Sequence, residues 1–410
     1  MSDLLSTEVL ISGGGFAGLA LALALDRAGI AALVVDAAPL AETTLPAFDG
    51  RVFAIAPDVV RMLTALGVWQ RVRESQPVRE IVVSGGAVGA PRSPFFLHFD
   101  EADAGGAPLF EIAENRFLRM ALLEAASGAP HMTLVSPARI ETAETGAAGV
   151  TGTLAGGRPF AARLLVAAEG RQSPLRDRFG IRTSGWSYGQ TAIVCTVEHE
   201  RPHGGTAQDY FLPGGPFGIL PMTGNRSSLV WAEPTARAAA ILALPDADFA
   251  AETARRFTDF LGAVRPVGPR WSYPLATHLA RDYVATRFAL LGDSAHGVHP
   301  LAGQGLNLAL RDVAVLAELV TDAVRIGLDP GAGQVLETYQ RARRVDATAM
   351  AAVTDGLNRL FSNDVAPLRA MREAGLGLVN AIAPLRRLLA TAAAGGNLGA
   401  TPRLLKGDAL

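Results

Sequence analysis

The chain has 410 residues, and its 37 basic and 39 acidic side chains leave a formal net charge of −2, so no bulk positive field points to nucleic acid. A composition that is 49% hydrophobic and 19% charged belongs to a compact globular protein of two or three domains and excludes a disordered chain. One cysteine, Cys195, excludes an intramolecular disulfide framework and any multi-cysteine metal site, which fits a reducing, cytoplasmic compartment.

In chain order, residues 8–12 form a short apolar strand, 16–28 have helical character closed by Gly29, and 31–36 form a second strand. A right-handed crossover makes the two strands parallel neighbours. The apolar stretch at 16–25 superficially resembles a secretory leader, but Asp3 and Glu8 precede it where basic residues would stand. No run of about 18 apolar residues marks a transmembrane helix. Residues 57–66 begin at Pro57 and end at Gly67, as helices do; 78–110 are rich in β-formers, Gly and Pro; a helix at 114–127 stops at Gly128. Short strands occupy 131–168, strand and turn chemistry alternate over 188–232, and a helix near 247–262 precedes a buried strand at 287–291. A long helix begins near Gly303, and beyond 331 the chain is helical and rich in Ala, Leu and Arg.

Two motifs carry chemistry. Gly13, Gly15 and Gly18 fit G-x-G-x-x-G between strand and helix, with a tight turn, room for a pyrophosphate at the helix N-terminus, and close helix–strand packing. Asp36 stands 18 residues beyond Gly18 at the end of the second strand, placed to accept hydrogen bonds from an adenosine ribose and to repel a 2′-phosphate. This pattern favours FAD or NAD over NADP without separating the first two. In the second motif a buried strand ends at Gly292, so Asp293 emerges at the carboxyl edge of the sheet, where it can hold a ribityl hydroxyl or a ribose. Gly303 and Gly305 let the backbone press on a flat ring, and the helix that begins there turns its positive end toward it.

The run from His299 to Asp312, His-Pro-Leu-Ala-Gly-Gln-Gly-Leu-Asn-Leu-Ala-Leu-Arg-Asp, resembles throughout the signature of the ubiquinone-biosynthesis hydroxylases, a family of class A FAD-dependent aromatic monooxygenases. The resemblance extends nearly end to end. It implies an α/β fold like that of para-hydroxybenzoate hydroxylase: an FAD-binding Rossmann-like domain at 1–77, 111–180 and 280–345. A mainly antiparallel β-sheet substrate domain at 78–110 and 181–279 interrupts it, and a helical segment at 346–410 closes the chain.

The resemblance places Arg51 near the flavin and Arg116 on an FAD phosphate, with Glu169 and Gly170 in a middle motif that usually reads Ala-Asp-Gly. It sets Gly292 and Asp293 at the ribityl or pyrophosphate region, Gly303, Gly305, Leu306 and Asn307 against the isoalloxazine, and Pro300 at the oxygen-transfer site. His299 is the candidate base for the phenol, and Tyr210, Phe211 and Phe217 are candidate substrate contacts, with ordinary core aromatics as the alternative. The implied reaction reduces FAD with NAD(P)H, forms a C4a-hydroperoxide from O2, and hydroxylates a polyprenylated phenol or quinol on the way to ubiquinone. No metal and no protein nucleophile are required.

Other readings are weaker. His296 and His299 beside Asp293 could be metal ligands but lack a further acid or thiol. The run 292–296 mimics a nucleophile elbow but ends in His where glycine is needed. Flavin halogenases share the fold but need an active-site lysine, and the only lysine here, Lys406, lies in the tail. A flavin hydroxylase of a soluble aromatic compound, an NAD-dependent dehydrogenase and a non-catalytic subunit of a biosynthetic complex stay open. The amphipathic stretch 365–394 either packs on the protein itself or docks to a membrane surface or partner.

Overall fold

The computed structural model describes residues 4–40, 48–89, 93, 96–257, 260–361, 380, 382, 384 and 400–410. Strand Leu5–Ser12 lies inside a largely parallel sheet. Ala32–Val35 pairs with it on one side, Val9 opposite Ala32 and Ser12 opposite Val35, and Pro159–Ala167 pairs on the other. Phe288–Leu290 and Met132–Val135 extend the sheet outward in parallel. Over Val9–Ile11, Ala32–Val35 and Leu164–Ala167 the inner strands are apolar, as strands covered on both faces are. Helix Phe16–Arg27 makes the first crossover, and every residue from Gly18 to Leu25 is buried. It has no polar face because helix Gly305–Arg325 packs on the side away from the sheet.

The second sheet runs, in spatial order, through His296–Gly297, Val264–Ala280, Thr183–His199, Arg226–Pro234, Gly215–Met222, Thr206–Leu212, Glu80–Gly85 and Phe96–Asp100. Among the described residues it is antiparallel except where Thr206–Leu212 meets Glu80–Gly85. Strand Val264–Ala280 escaped the sequence reading because Pro266, Gly268 and Pro274 interrupt it. It survives because its pairing with Thr183–His199 shifts register twice, between Ser187 and Thr191 and between Val194 and Thr196. Bulges of this kind tolerate Pro and Gly. A small sheet of Val52–Ile55, Phe110–Glu114 and Ser75–Val78 joins the two large ones.

The helices expected at 57–66, 114–127 and 247–262 appear as Pro57–Ala65, Asn115–Ser127 and Asp246–Phe257. Helix Thr235–Leu242 was not anticipated. Beyond Gly333–Phe361, the stretch 365–394 falls outside the described residues apart from isolated positions. The tail itself folds back: Arg61 Nε donates to the Leu405 carbonyl at 3.0 Å, and the Arg403 amide donates to Glu318 at 2.6 Å. Among the described residues no helix is long and apolar enough to cross a membrane.

Candidate active site

A cavity of about 580 Å³ opens between the two large sheets. One wall belongs to the parallel sheet and its loops. Gly13 sits at φ 108°, and a Cβ there would meet the Ala168 carbonyl oxygen at 2.3 Å. A Cβ on Gly18 would fall 1.9 Å from the Gly13 carbonyl oxygen, so both positions need glycine for strand and helix to touch. Gly15, Phe16 and Ala17 line the cavity, and no side chain caps the helix they open. Its first N–H groups therefore face the cavity with their partial positive charge. Asp36 does not line the cavity; at the end of strand Ala32–Val35 it accepts the Gly14 N–H at 2.5 Å and the Ala38 N–H at 2.8 Å.

The second motif completes this wall. Leaving strand Phe288–Leu290, the chain turns at Gly292, whose N–H donates to Asp312 Oδ2 at 3.1 Å, and Asp293 projects into the cavity. Asp312, fully buried, also accepts from His296 Nε2 at 2.6 Å and from Arg343 Nε at 2.7 Å. This engages His296 internally, away from any metal role. Helix Gly305–Arg325 again lacks a side-chain cap, and Gly303, Gly305 and Leu306 line the cavity. Asn307 does not line it. Its amide donates to the Ala54 carbonyl at 2.9 Å and accepts the Ala56 N–H at 3.0 Å, so it clamps the helix start to strand Val52–Ile55 instead of touching a ring.

Arg51 lines the cavity, half-exposed and paired with Asp49 at 2.5 Å. Arg116 does not line it; it pairs with Glu114 at 2.7 Å, and its guanidinium lies 4.7 Å from the Phe117 ring centre. Arg119, one turn further along the same helix, does not line the cavity either. Burial holds its pKa below the usual arginine value; the charge of Asp36 opposes this and that of Arg51 adds to it. Its buried Nε has no hydrogen-bond partner among the described residues.

Glu169 behaves differently from a cofactor ligand. One carboxylate oxygen accepts from Ser12 Oγ at 2.7 Å; the other accepts from Ser173 Oγ at 2.6 Å and the Leu175 N–H at 3.1 Å. The added methylene lets it join the first strand to the short helix Pro174–Arg178, while its neighbours Ala168 and Gly170 line the cavity. Glu169→Gln is therefore expected to cost about 1–3 kcal/mol in a thermal melt while leaving the flavin content of purified protein unchanged. Lost flavin with unchanged stability would return Glu169 to the cofactor.

His299 and Pro300 both line the cavity. His299 Nδ1 accepts the Leu301 N–H at 3.2 Å, which assigns the neutral ring's proton to Nε2, a buried atom without a partner. Burial pushes this imidazole down to about 4, so at neutral pH it is an uncharged donor and not the base expected.

The opposite wall is the antiparallel sheet, and here the expectation is corrected. Alternation sends Tyr210 and Phe217 to the far face, where Phe217 lies 5.8 Å from the Trp231 ring and 5.7 Å from that of Phe257. Phe211 turns toward the cavity side but stacks on Phe361 at 4.1 Å and packs against Leu301. The lining residues are instead small or aliphatic, among them Ala192, Ala207, Leu220, Val230 and Ala232, together with Asp209.

Two uncapped helix N-termini, an acid bonded to the glycine loop and a glycine-edged slot fit an adenine dinucleotide carrying a flat ring. Residues 6–354 match the FAD binding domain family. Ubiquinone hydroxylase UbiL of Rhodospirillum rubrum is 49% identical over 98% of this chain and 92% of its own length. The 3-demethoxyubiquinol 3-hydroxylase of Escherichia coli is 34% identical over 93% of this chain and 96% of its own. Among solved structures, the probable FAD-dependent monooxygenase pqsL of Pseudomonas aeruginosa superposes with a TM-score of 0.76 at 25% identity, covering 90% of this chain and 99% of its own. This chain belongs to the FAD binding domain family, in the company of the ubiquinone hydroxylases, and is an FAD-dependent monooxygenase.

Proposed function

We propose that the protein hydroxylates the aromatic ring of a polyprenylated phenol or quinol intermediate of ubiquinone biosynthesis, using O2 and NAD(P)H. The observation that carries this reading is the cavity: a cofactor wall of glycines and helix N-termini faces a sheet wall almost wholly of aliphatic and aromatic side chains. Such a lining suits a greasy aromatic substrate and keeps water away from the reacting carbon. The names of the relatives, a ubiquinone hydroxylase and a 3-demethoxyubiquinol 3-hydroxylase, point to the same substrate class.

Bound FAD supplies the exchange of electrons with NAD(P)H and the activation of O2. The chain's own residues do the rest. Gly13, Gly15 and Gly18 open the helix whose N–H groups receive the pyrophosphate charge, with Asp36 on the ribose. Asp293 holds the ribityl region. Gly303, Gly305 and Leu306 bring a second helix N-terminus to the electron-rich edge of the ring, and Pro300 shapes the space next to it. His299 offers its Nε2–H to an oxygen on that side.

A substrate of this kind partitions into lipid, so this reading places the enzyme at the cytoplasmic face of the membrane. Val353 and Leu357, exposed on helix Gly333–Phe361, support that placement. Mass spectrometry of quinone lipids from a strain lacking the gene is expected to show a prenylated precursor one hydroxyl short of its product. Normal ubiquinone with no precursor would withdraw the quinone assignment and leave the flavin chemistry. Complete recovery of the protein in the soluble fraction would withdraw the membrane placement.

A further inference from the structure

Asp209 is unlike everything around it. Among the described residues it is the only ionisable side chain that the antiparallel sheet turns into the cavity; Arg51, Asp293 and His299, the others in the lining, all stand on the cofactor wall. Its strand neighbours are uncharged: Val83 pairs with it on one side and Gly218 on the other. The glycine makes the space, since a Cβ at position 218 would lie 3.2 Å from Asp209 Oδ1. No described residue donates a hydrogen bond to the carboxylate or pairs with its charge, and burial alone acts on it. An unpartnered acid on an apolar wall destabilises a fold, so its natural partner is a donor brought by a ligand.

Resting on the reading of the substrate as a ring bearing a hydroxyl, we propose that Asp209 binds that hydroxyl and takes its proton. The phenolic O–H bond breaks as the proton passes to a carboxylate oxygen, and the electron pair left on the ring oxygen enriches the ring carbons ortho and para to it. When the attacked carbon releases its hydrogen as a proton to solvent and aromaticity returns, the carboxyl gives the proton it took back to the ring oxygen. Asp209 thus fixes which edge of the ring meets the cofactor wall, while His299, already a donor, serves an oxygen there. The carboxyl is pushed up to about 6, closer to a phenol than an ordinary carboxylate and still ionised at neutral pH.

The test compares wild type with Asp209→Asn as FAD-loaded proteins. It titrates each with a geranyl-substituted phenol and with its methyl ether, following the flavin absorbance. Wild type is expected to bind the phenol about 10-fold or more tightly than the ether, and Asp209→Asn to bind the two within about 3-fold of each other. Turnover of the phenol should fall about 10²- to 10⁴-fold in the variant, and the acidic limb of kcat/KM near pH 6 should vanish. His299 titrates near 4 and does not supply that limb. Flavin content and melting temperature should hold or rise, because the change removes an unpaired charge. Gly218→Ala, which presses a methyl on the carboxylate, should reproduce the loss of preference in weaker form. A variant that still prefers the phenol as wild type does overturns the role of Asp209 and leaves the substrate reading intact. A wild type that binds neither compound overturns the substrate reading, and this proposal with it.

Discussion

Asp293→Ala is expected to release FAD from a protein that stays folded. The Asp293 side chain is exposed at the carboxyl edge of the parallel sheet, and among the described residues its hydrogen bond to a side chain is made by the backbone carbonyl, 2.9 Å from His278 Nε2. Alanine keeps that carbonyl, so the flavin-free protein should change in stability by no more than about 0.5 kcal/mol. A charge-assisted hydrogen bond to a cofactor hydroxyl is worth about 1.5–3 kcal/mol, which corresponds to roughly 10- to 100-fold weaker retention. Flavin absorbance per protein after gel filtration reads the first quantity, and a melt of flavin-stripped protein reads the second. Wild-type flavin stoichiometry in the variant would remove Asp293 from the site.

Asp312→Ala is expected to act through the fold. Its carboxylate is wholly buried and meets the Gly292 N–H, His296 and Arg343, so truncation leaves a buried guanidinium without its main counter-charge. The cost is about 3–5 kcal/mol, and FAD should be lost as a consequence because Gly292 no longer holds Asp293 in place. Burial pushes the Asp312 carboxyl up, but His296 and Arg343 beside it prevail and hold it below the ordinary range. A carboxylate with a depressed folded pKa stabilises above its unfolded value, about 3.9, and loses that contribution as pH falls through the folded one. Denaturant melts should therefore separate wild type from variant widely at pH 7 and progressively less below about pH 4. An equal gap across that range would sink the assignment.

The cofactor wall was legible from sequence because its devices are local. Gly13 to Gly18, Asp36 and the run from Gly292 to Leu306 each work through a turn, a strand end or a helix start. Short-range spacing specifies those. The sheet wall was not, because alternation along Thr206–Leu212 and Gly215–Met222 defines two faces without saying which meets the cavity. That choice is made by helices Thr235–Leu242 and Asp246–Phe257, which cover the face of Phe217 and claim its ring for a core. Aromatic residues attract attention as substrate contacts, whereas the informative residue was Asp209, an acid in an otherwise apolar strand end. The hydrogen bonds of Glu169 to Ser12 and Ser173 and of Asn307 to Ala54 and Ala56 were not legible, since residue type shows hydrogen-bonding capacity but not which groups the fold supplies.

The contrast between the two walls bears on how such an enzyme can change its substrate. Asn307, Asp312 and the buried Asp58–Arg311 pair at 2.9 Å lock the cofactor side into one arrangement, in which altering any member disturbs several others. Ala192, Ala207 and Ala232 across the gap contribute little more than a methyl each, and none is tied into that network. Enlarging or shrinking them would remould the chamber without retuning the redox machinery. The fold thus divides into a conservative half and a permissive half, and new substrate preferences have a short mutational path through the permissive one.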